Sequence, residues 1–482
     1  MDIKSKAVTS VKWNTANRIV CLLIGVIRVA ILTRLLDRSD FGLVALAMVV
    51  IDFTNLFSDL GLTTAIIHKQ NITVNQYSSI FWLNLSAGVV VYLVLCCISP
   101  ICSSFYKEPR LNIIIPLLGT QVLMNGFGKI FQTIKTKELD FEFISKVSMM
   151  SAIIGLIITI ILAILEFGVY SLVFGQLLGV AITQITYSVA GLRKQKIKFY
   201  FNLREVKDFV KIGGYQLGAQ LVDFIAGKID ILLVGKFFTM NDLGVYNIAK
   251  NLINMPYQLI NSIVSGVGTS AFALIQNDIQ KLKDTYSKIV NIMSAISLPI
   301  YTMLLVFATP IVEILYAPEF SDVSIYLRIL APWGFFASIS SLIGMVVTAK
   351  GRTDLGFNWT WVRILMNTAA TYVACYISVY AIACSQTLMG IISIPIYFYM
   401  VTAKVLPISL KDYFGYFARN AIYSLSIGLI FLMVYIITEP PLILSIFLMV
   451  LYPILYSGLH WLTNKKFVIS IFDLIFKKSI DC

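Results

Sequence analysis

The sequence predicts an all-α polytopic membrane protein of about 14 transmembrane helices: two parallel six-helix lobes followed by two C-terminal helices. Three observations carry this reading. The chain is 58% hydrophobic and 13% charged over 482 residues, with mean hydropathy +0.84. A soluble domain carries about 25% charge. A short pattern occurs twice, 202 positions apart: Asp40/Asp242, Gly42/Gly244 and Ala47/Ala249 are identical, Arg34/Lys236 keeps its charge, and upstream Gly25 matches Gly227. Finally, the basic residues gather in alternate loops. A chain made of two copies of one multi-helix unit is the usual construction of a transporter, with the pathway between the halves.

A span needs about 20 mostly apolar residues. The chain offers fourteen, at approximately 13–33, 42–66, 79–103, 111–133, 145–165, 169–190, 210–236, 244–274, 287–307, 323–348, 359–379, 384–403, 418–437 and 442–462. The first follows Lys4, Lys6 and Lys12. It is too long for a signal-peptide core and lacks a cleavage site, so it is read as an uncleaved span. The eleventh and twelfth are divided near Ala381–Ser385, and the last pair at Glu439-Pro440-Pro441. The repeat offset equals six spans, so both halves run the same way through the bilayer. A fainter echo agrees: Phe105-Tyr106-Lys107-Glu108-Pro109 after span three resembles Leu315-Tyr316-Ala317-Pro318-Glu319-Phe320 after span nine. The expected division is an N-terminal lobe at 1–190, a basic linker at 191–209, a C-terminal lobe at 210–403, and two extra helices with a tail at 404–482.

About 26 basic residues fall in one set of alternate loops, which includes the N-terminus, the run from Arg193 to Lys211, and Lys465/Lys466. The other set holds Arg34, Arg38, Lys107 and Arg110, with Lys236 at an edge. The positive-inside rule then places both termini in the cytoplasm. The net charge of +13 is spread through these loops, where it sets topology and contacts anionic lipid, so nucleic acid is excluded as a partner. The longest polar stretch, Gly191 to Lys211, leaves no room for a large catalytic domain outside the membrane. Seven cysteines form no disulfide framework, and the terminal Cys482 is not in a prenylation box. Neither His68 nor His460 belongs to a metal-ligand motif, and neither is read as intramembrane.

Ionisable side chains in mid-membrane are costly and usually face a cavity or a partner. On span one, Asn14, Asn17, Arg18, Cys21, Gly25 and Arg28 share a side. Span two carries Asp52, Asn55 and Asp59 at i, i+3 and i+7. Its repeat counterpart, span eight, carries Asn247, Lys250, Asn251, Asn254, Gln258 and Asn261 within about a third of the circumference. Asp52 and Asp59 then correspond to Asn254 and Asn261. Span seven adds Gln220, Asp223 and Asp230 on one side, with Lys228 pointing elsewhere. A lone amide in a span usually ties helices together. A stripe of six, mirrored in the other half, reads as cavity lining. Lys129, Arg328 and Arg363 are further candidates, and Arg34 and Lys236 are read as snorkelling. Amides match sugar hydroxyls and cations match phosphate, which suits a sugar-phosphate cargo.

The repeated Asp-x-Gly turn, the segment Tyr316 to Phe320, the loop Ala349-Lys350-Gly351-Arg352, and the length and span order resemble the Wzx-type polysaccharide flippases. These belong to the multidrug/oligosaccharidyl-lipid/polysaccharide (MOP) exporter superfamily. The resemblance covers nearly the whole chain. It implies two six-helix lobes in a V around a central cavity that opens alternately to each side. It also implies an undecaprenyl-diphosphate-linked oligosaccharide cargo, flipped across the bacterial plasma membrane for surface polysaccharide assembly: lipopolysaccharide, capsule, teichuronic acid or exopolysaccharide. No cofactor or metal is expected, and coupling to protons or to sodium is left open. Membrane lipids and a polysaccharide polymerase are the further partners such a role implies. In related lipid II flippases two extra helices form a groove for the lipid tail, and spans thirteen and fourteen are candidates for the same use. The alternatives are a multidrug/cation antiporter of the same superfamily, kept open by Asp52, Asp59, Asp223 and Asp230, and a membrane-embedded glycan polymerase or acyltransferase. Arg28 and Lys250 count against the first, and the short outer loops against the second.

Overall fold

The structure is a computed structural model that describes residues 3–59, 66, 72–195, 197–202, 218, 220–221 and 224–476. Among these the regular elements are helical, and no strand occurs. They are α1 (Ile3–Leu32), α2 (Arg38–Asp59), α3 (Val74–Tyr106), α4 (Leu111–Lys137), α5 (Phe141–Ile164), α6 (Val169–Lys194), α7 (Met240–Leu274), α8 (Ile279–Val306), α9 (Ala308–Leu315), α10 (Val323–Ala349), α11 (Thr353–Ala374), α12 (Val379–Tyr397), α13 (Leu410–Thr438) and α14 (Leu442–Phe476). A further helical run covers 224–237.

Eleven of the described helices are long and apolar enough to cross a membrane: α1 to α6, α8, α10, α12, α13 and α14. The expected fourteen are therefore not all met by length and composition. Of the other three expected spans, the seventh lies in part outside the described residues, and the eighth and eleventh fall on α7, which carries Lys250 and a run of amides, and α11, which carries Asp354 and Arg363. The break between spans eleven and twelve also lies earlier than expected, at Cys375–Ser378. Ser378 caps α12 there by accepting from the Ala381 N–H at 3.1 Å. A serine cap inside an apolar run is easily overlooked by hydropathy, yet it satisfies a helix N–H that would otherwise be orphaned. At the last pair the chain does break at Glu439, whose φ of 38° ends α13 before Pro440 and Pro441.

By packing, the chain divides into two compact units, Met1–Asn247 with Leu315–Ala317, and Ile248–Ile314 with Pro318–Cys482. In the first, α3 starts at a capping box in which Thr73 and Gln76 satisfy each other's backbone N–H groups. Asp140 caps α5 by accepting from the Phe143 N–H, and pairs with Lys135 at 2.7 Å. Ser151, Gly155 and Thr159 form a buried, small-residue face of α5 that lets α6 approach closely. Tyr77, Phe81, Phe131, Val147 and Tyr187 form a buried apolar cluster in the same unit.

The repeated turns meet each other in this unit. A Cβ on Gly42 would overlap the Met240 carbonyl oxygen, and one on Gly244 would overlap the Arg38 carbonyl oxygen. The first turns of α2 and α7 therefore cross in backbone contact. The charged members of the repeat are crosswise too. Lys236 donates to the Phe105 carbonyl at 2.6 Å and lies 3.8 Å from the Phe105 ring centre. Arg34 donates to the Leu315 carbonyl at 3.1 Å. Phe105 and Leu315 are the matching residues of the second echo, so each copy's cation satisfies a carbonyl at the helix end belonging to the other copy. Arg34 and Lys236, read as snorkelling, are exposed and make these bonds as well.

In the second unit, Asp278 caps α8. The Lys281 N–H and ammonium hold its carboxyl below the usual carboxylate range. The C-terminal pair is tied to α8 by buried polar groups. Asn420 donates to Ser294 at 2.7 Å, and Thr302, Ser424 and Tyr452 form a chain of hydroxyls with 2.8 Å links. The outer faces of the pair expose Ile422, Leu425, Leu429, Ile443, Phe447 and Ile454, as helices against lipid do. His460 is inside α14, 4% exposed between the rings of Tyr423 and Tyr456. This corrects its expected place outside the membrane. Its bulk fills a gap between aromatic side chains, a context that hydropathy does not register. His68 lies outside the described residues.

Candidate transport site

Three groups of polar side chains stand out on the described helices. The first is the α7 stripe. Val245, Tyr246, Ile248, Ala249, Leu252, Ile253 and Ile260 are buried on one face. On the other, Asn251 and Gln258 are exposed, and Asn247, Lys250, Asn254 and Asn261 are half-buried. The Asn261 side-chain oxygen is enclosed without a hydrogen-bond donor. A helix in lipid normally turns its apolar residues outward and its polar ones inward. Here the packed face is apolar and the open face is amide, the arrangement a polar ligand requires.

The second group lies on α1 and α2. Arg18 and Arg28 are exposed on α1. The rest of the expected α1 stripe is partly used for packing: Cys21 donates to Asn17 at 3.2 Å and stands 3.6 Å from Ser148 of α5. Asp52 of α2 pairs with Lys228 at 3.4 Å. Lys228 is on the side of its helix away from Asp230. Asp230 is 1% exposed and accepts from the Tyr246 hydroxyl at 2.5 Å. Its expected role in lining a cavity is thus corrected: it faces packed protein, where its carboxyl accepts from a phenol in the repeat turn of α7. The side chain of Asp59, and Asp223 altogether, lie outside the described residues.

The third group surrounds a cavity of about 360 Å³ in the first unit. Asn55 of α2, Asn84 of α3, Asn125 and Lys129 of α4, and Gln220 line it. Asn125 donates to Asn55 at 3.4 Å and accepts from Gln184 of α6 at 2.9 Å. One step along, Gln176 donates to Gln121 at 3.3 Å. A ladder of amides thus joins α2, α4 and α6. The structure brings the expected Asn55 and Gln220 together with Lys129. Sequence reasoning missed Asn84, Gln121, Asn125, Gln176 and Gln184. The available signal was their spacing, since Gln121/Asn125 at i, i+4 and Gln176/Gln184 at i, i+8 each share a helix face. Of the other candidates, Arg328 donates to Thr309 at 2.8 Å and Arg363 is half-buried on α11.

A multi-helix fold with amide and cationic faces turned away from its packed cores defines a membrane transporter. The chain belongs to the family described as polysaccharide biosynthesis protein, which it matches over residues 31–325. It is 25% identical over 439 residues to the teichuronic acid biosynthesis protein TuaB of Bacillus subtilis (strain 168), covering 91% of each chain. It is 23% identical over 359 residues to the lipopolysaccharide biosynthesis protein WzxC of Escherichia coli (strain K12), covering 74% of this chain and 73% of that one. Among solved structures it is similar to the lipid II flippase MurJ in an inward closed conformation, with TM-score 0.76 and 14% identity. That likeness covers 95% of this chain and 100% of the other, and concerns the fold alone.

Proposed function

We propose that the protein is an alternating-access flippase. Its cargo is undecaprenyl-diphosphate-linked oligosaccharide repeat units, moved from the inner to the outer leaflet of a bacterial plasma membrane for surface polysaccharide assembly. The observation that carries this reading is the open amide face of α7. Amides left uncovered at membrane depth are repaid by a cargo whose hydroxyls both donate and accept. Arg28 and Lys250 supply charge for the diphosphate. A carrier of organic cations is a poorer fit, because Asp52 already faces Lys228. The names of the relatives, both in surface-glycan biosynthesis, support the same reading.

The remaining parts follow from it. Lobes at 1–190 and 210–403 are the moving parts, and the expected site residues other than Asp230 are the cargo contacts. Both termini are cytoplasmic, as the loop charge requires. The α13–α14 pair offers a lipid-tail groove, and a polysaccharide polymerase receives the product. Asp52 and Asp59 are the groups through which protons or sodium would be coupled.

The test is an R28A/K250A double variant in a strain lacking the native gene. Losing two charge-assisted contacts should lower surface polysaccharide by about tenfold or more, with membrane abundance near normal. Full export by the well-expressed double variant would remove the cations from the role. Normal polysaccharide in the deletion strain would overturn the function.

A further inference from the structure

We infer that the amide-lined cavity of the first unit is a subsite for a sugar bearing one carboxylate. At about 360 Å³ it is at the small end of ligand pockets, which run from about 300 to 1,000 Å³, and suits one or two sugar rings. Its walls combine fixed amides with polar groups left open. Asn84 is 5% exposed, lines the cavity, and makes no side-chain hydrogen bond among the described residues. Asn125 is held from behind by Gln184, so its position is set before any ligand arrives.

Lys129 decides the charge of the occupant. Its ammonium has no hydrogen bond or ion pair among the described residues. It is eight residues before Lys137 at the end of α4, about 12 Å inside at 1.5 Å per residue. Lys135 and Lys137 already mark the helix end, so Lys129 is not placed there to snorkel. No acidic residue is among the described residues that line the cavity. An isolated cation inside a membrane protein is costly until an anion joins it. One ammonium among neutral amides balances a single negative charge. A diphosphate would bring surplus charge into the same low-dielectric space. Sugar hydroxyls then fall to Asn55, Asn84 and Gln220, which can both donate and accept.

The proposal rests on the flippase reading, and the experiment separates the two. Proteoliposomes are loaded with undecaprenyl-diphosphate disaccharides whose terminal sugar is either glucuronate or glucose, and flipping of each is measured. Wild type should move both and prefer the glucuronate cargo. Lys129→Gln should lose that preference by about tenfold or more while still moving the glucose cargo, and Lys129→Arg should keep it. Asn84→Ala, which leaves the charge in place, should slow both cargos. Free glucuronate should inhibit wild type, and inorganic phosphate should not. Size-exclusion profiles in detergent verify that each variant is folded. Equal slowing of both cargos by Lys129→Gln, no slowing by Asn84→Ala, or inhibition by phosphate equal to that by glucuronate would overturn the subsite and leave the flippase standing. Movement of neither cargo by wild type would overturn the flippase reading, and the subsite with it.

Discussion

Asp52 meets Lys228 at 3.4 Å, with side chains 38% and 34% exposed. The structure chooses Lys228 because the helix at 224–237 turns Asp230 into its packed side and presents the lysine on another. A pair this open contributes less than about 1 kcal/mol, so it is a weak structural tie. Asp52→Asn should therefore leave the melting temperature of the purified protein nearly unchanged. If Asp52 carries the coupling proton, the same variant stops uphill transport in reconstituted vesicles while downhill exchange continues. Undiminished uphill flux would exclude Asp52 from coupling. A large fall in abundance, recovered by exchanging the two charges, would make the pair structural instead.

At the scale of elements, the repeat is explained by the contact between its own copies. Gly42 and Gly244 permit the first turns of α2 and α7 to cross, where a side chain on either would overlap a carbonyl of the other helix. Backbone cannot rotate away as a side chain can, so Gly42→Ala or Gly244→Ala should cost about 1–3 kcal/mol or more, read as a lowered melting temperature. Gly25 and Gly227 match at the same offset, yet a Cβ on either meets nothing within 4 Å. Their alanine variants should melt with wild type. Equal destabilisation at all four positions would refute the crossing.

For the whole molecule, the testable property is orientation. In a cysteine-free variant, single cysteines at Asn241 and Glu319, both exposed, should react with an impermeant thiol reagent applied outside intact cells. Cysteines at Gln195 and Asn464 should not. Asp40, in the first copy of the repeated turn, is a poor probe because it is buried against Arg110 at 3.5 Å. Labelling of Gln195 from outside would invert the topology and remove the basis for cytoplasmic termini.

Hydropathy and periodicity by themselves determined the membrane class, the all-helical fold, most helix positions and the polar face of α7. Each of these follows from local composition: a run of apolar residues must cover about 30 Å of hydrocarbon, and a stripe recurs every 3.6 residues whatever it touches. Tertiary structure alone decided which polar residues share a place. Asp230 and Asn55 look alike as isolated polar groups in apolar runs, yet one is sealed against Tyr246 and the other opens on a cavity with Lys129. Asn84, Asn125 and Gln184 come from three helices and meet only when those helices pack. A pattern along one helix specifies a face; the neighbouring helix determines whether that face meets protein or empty space.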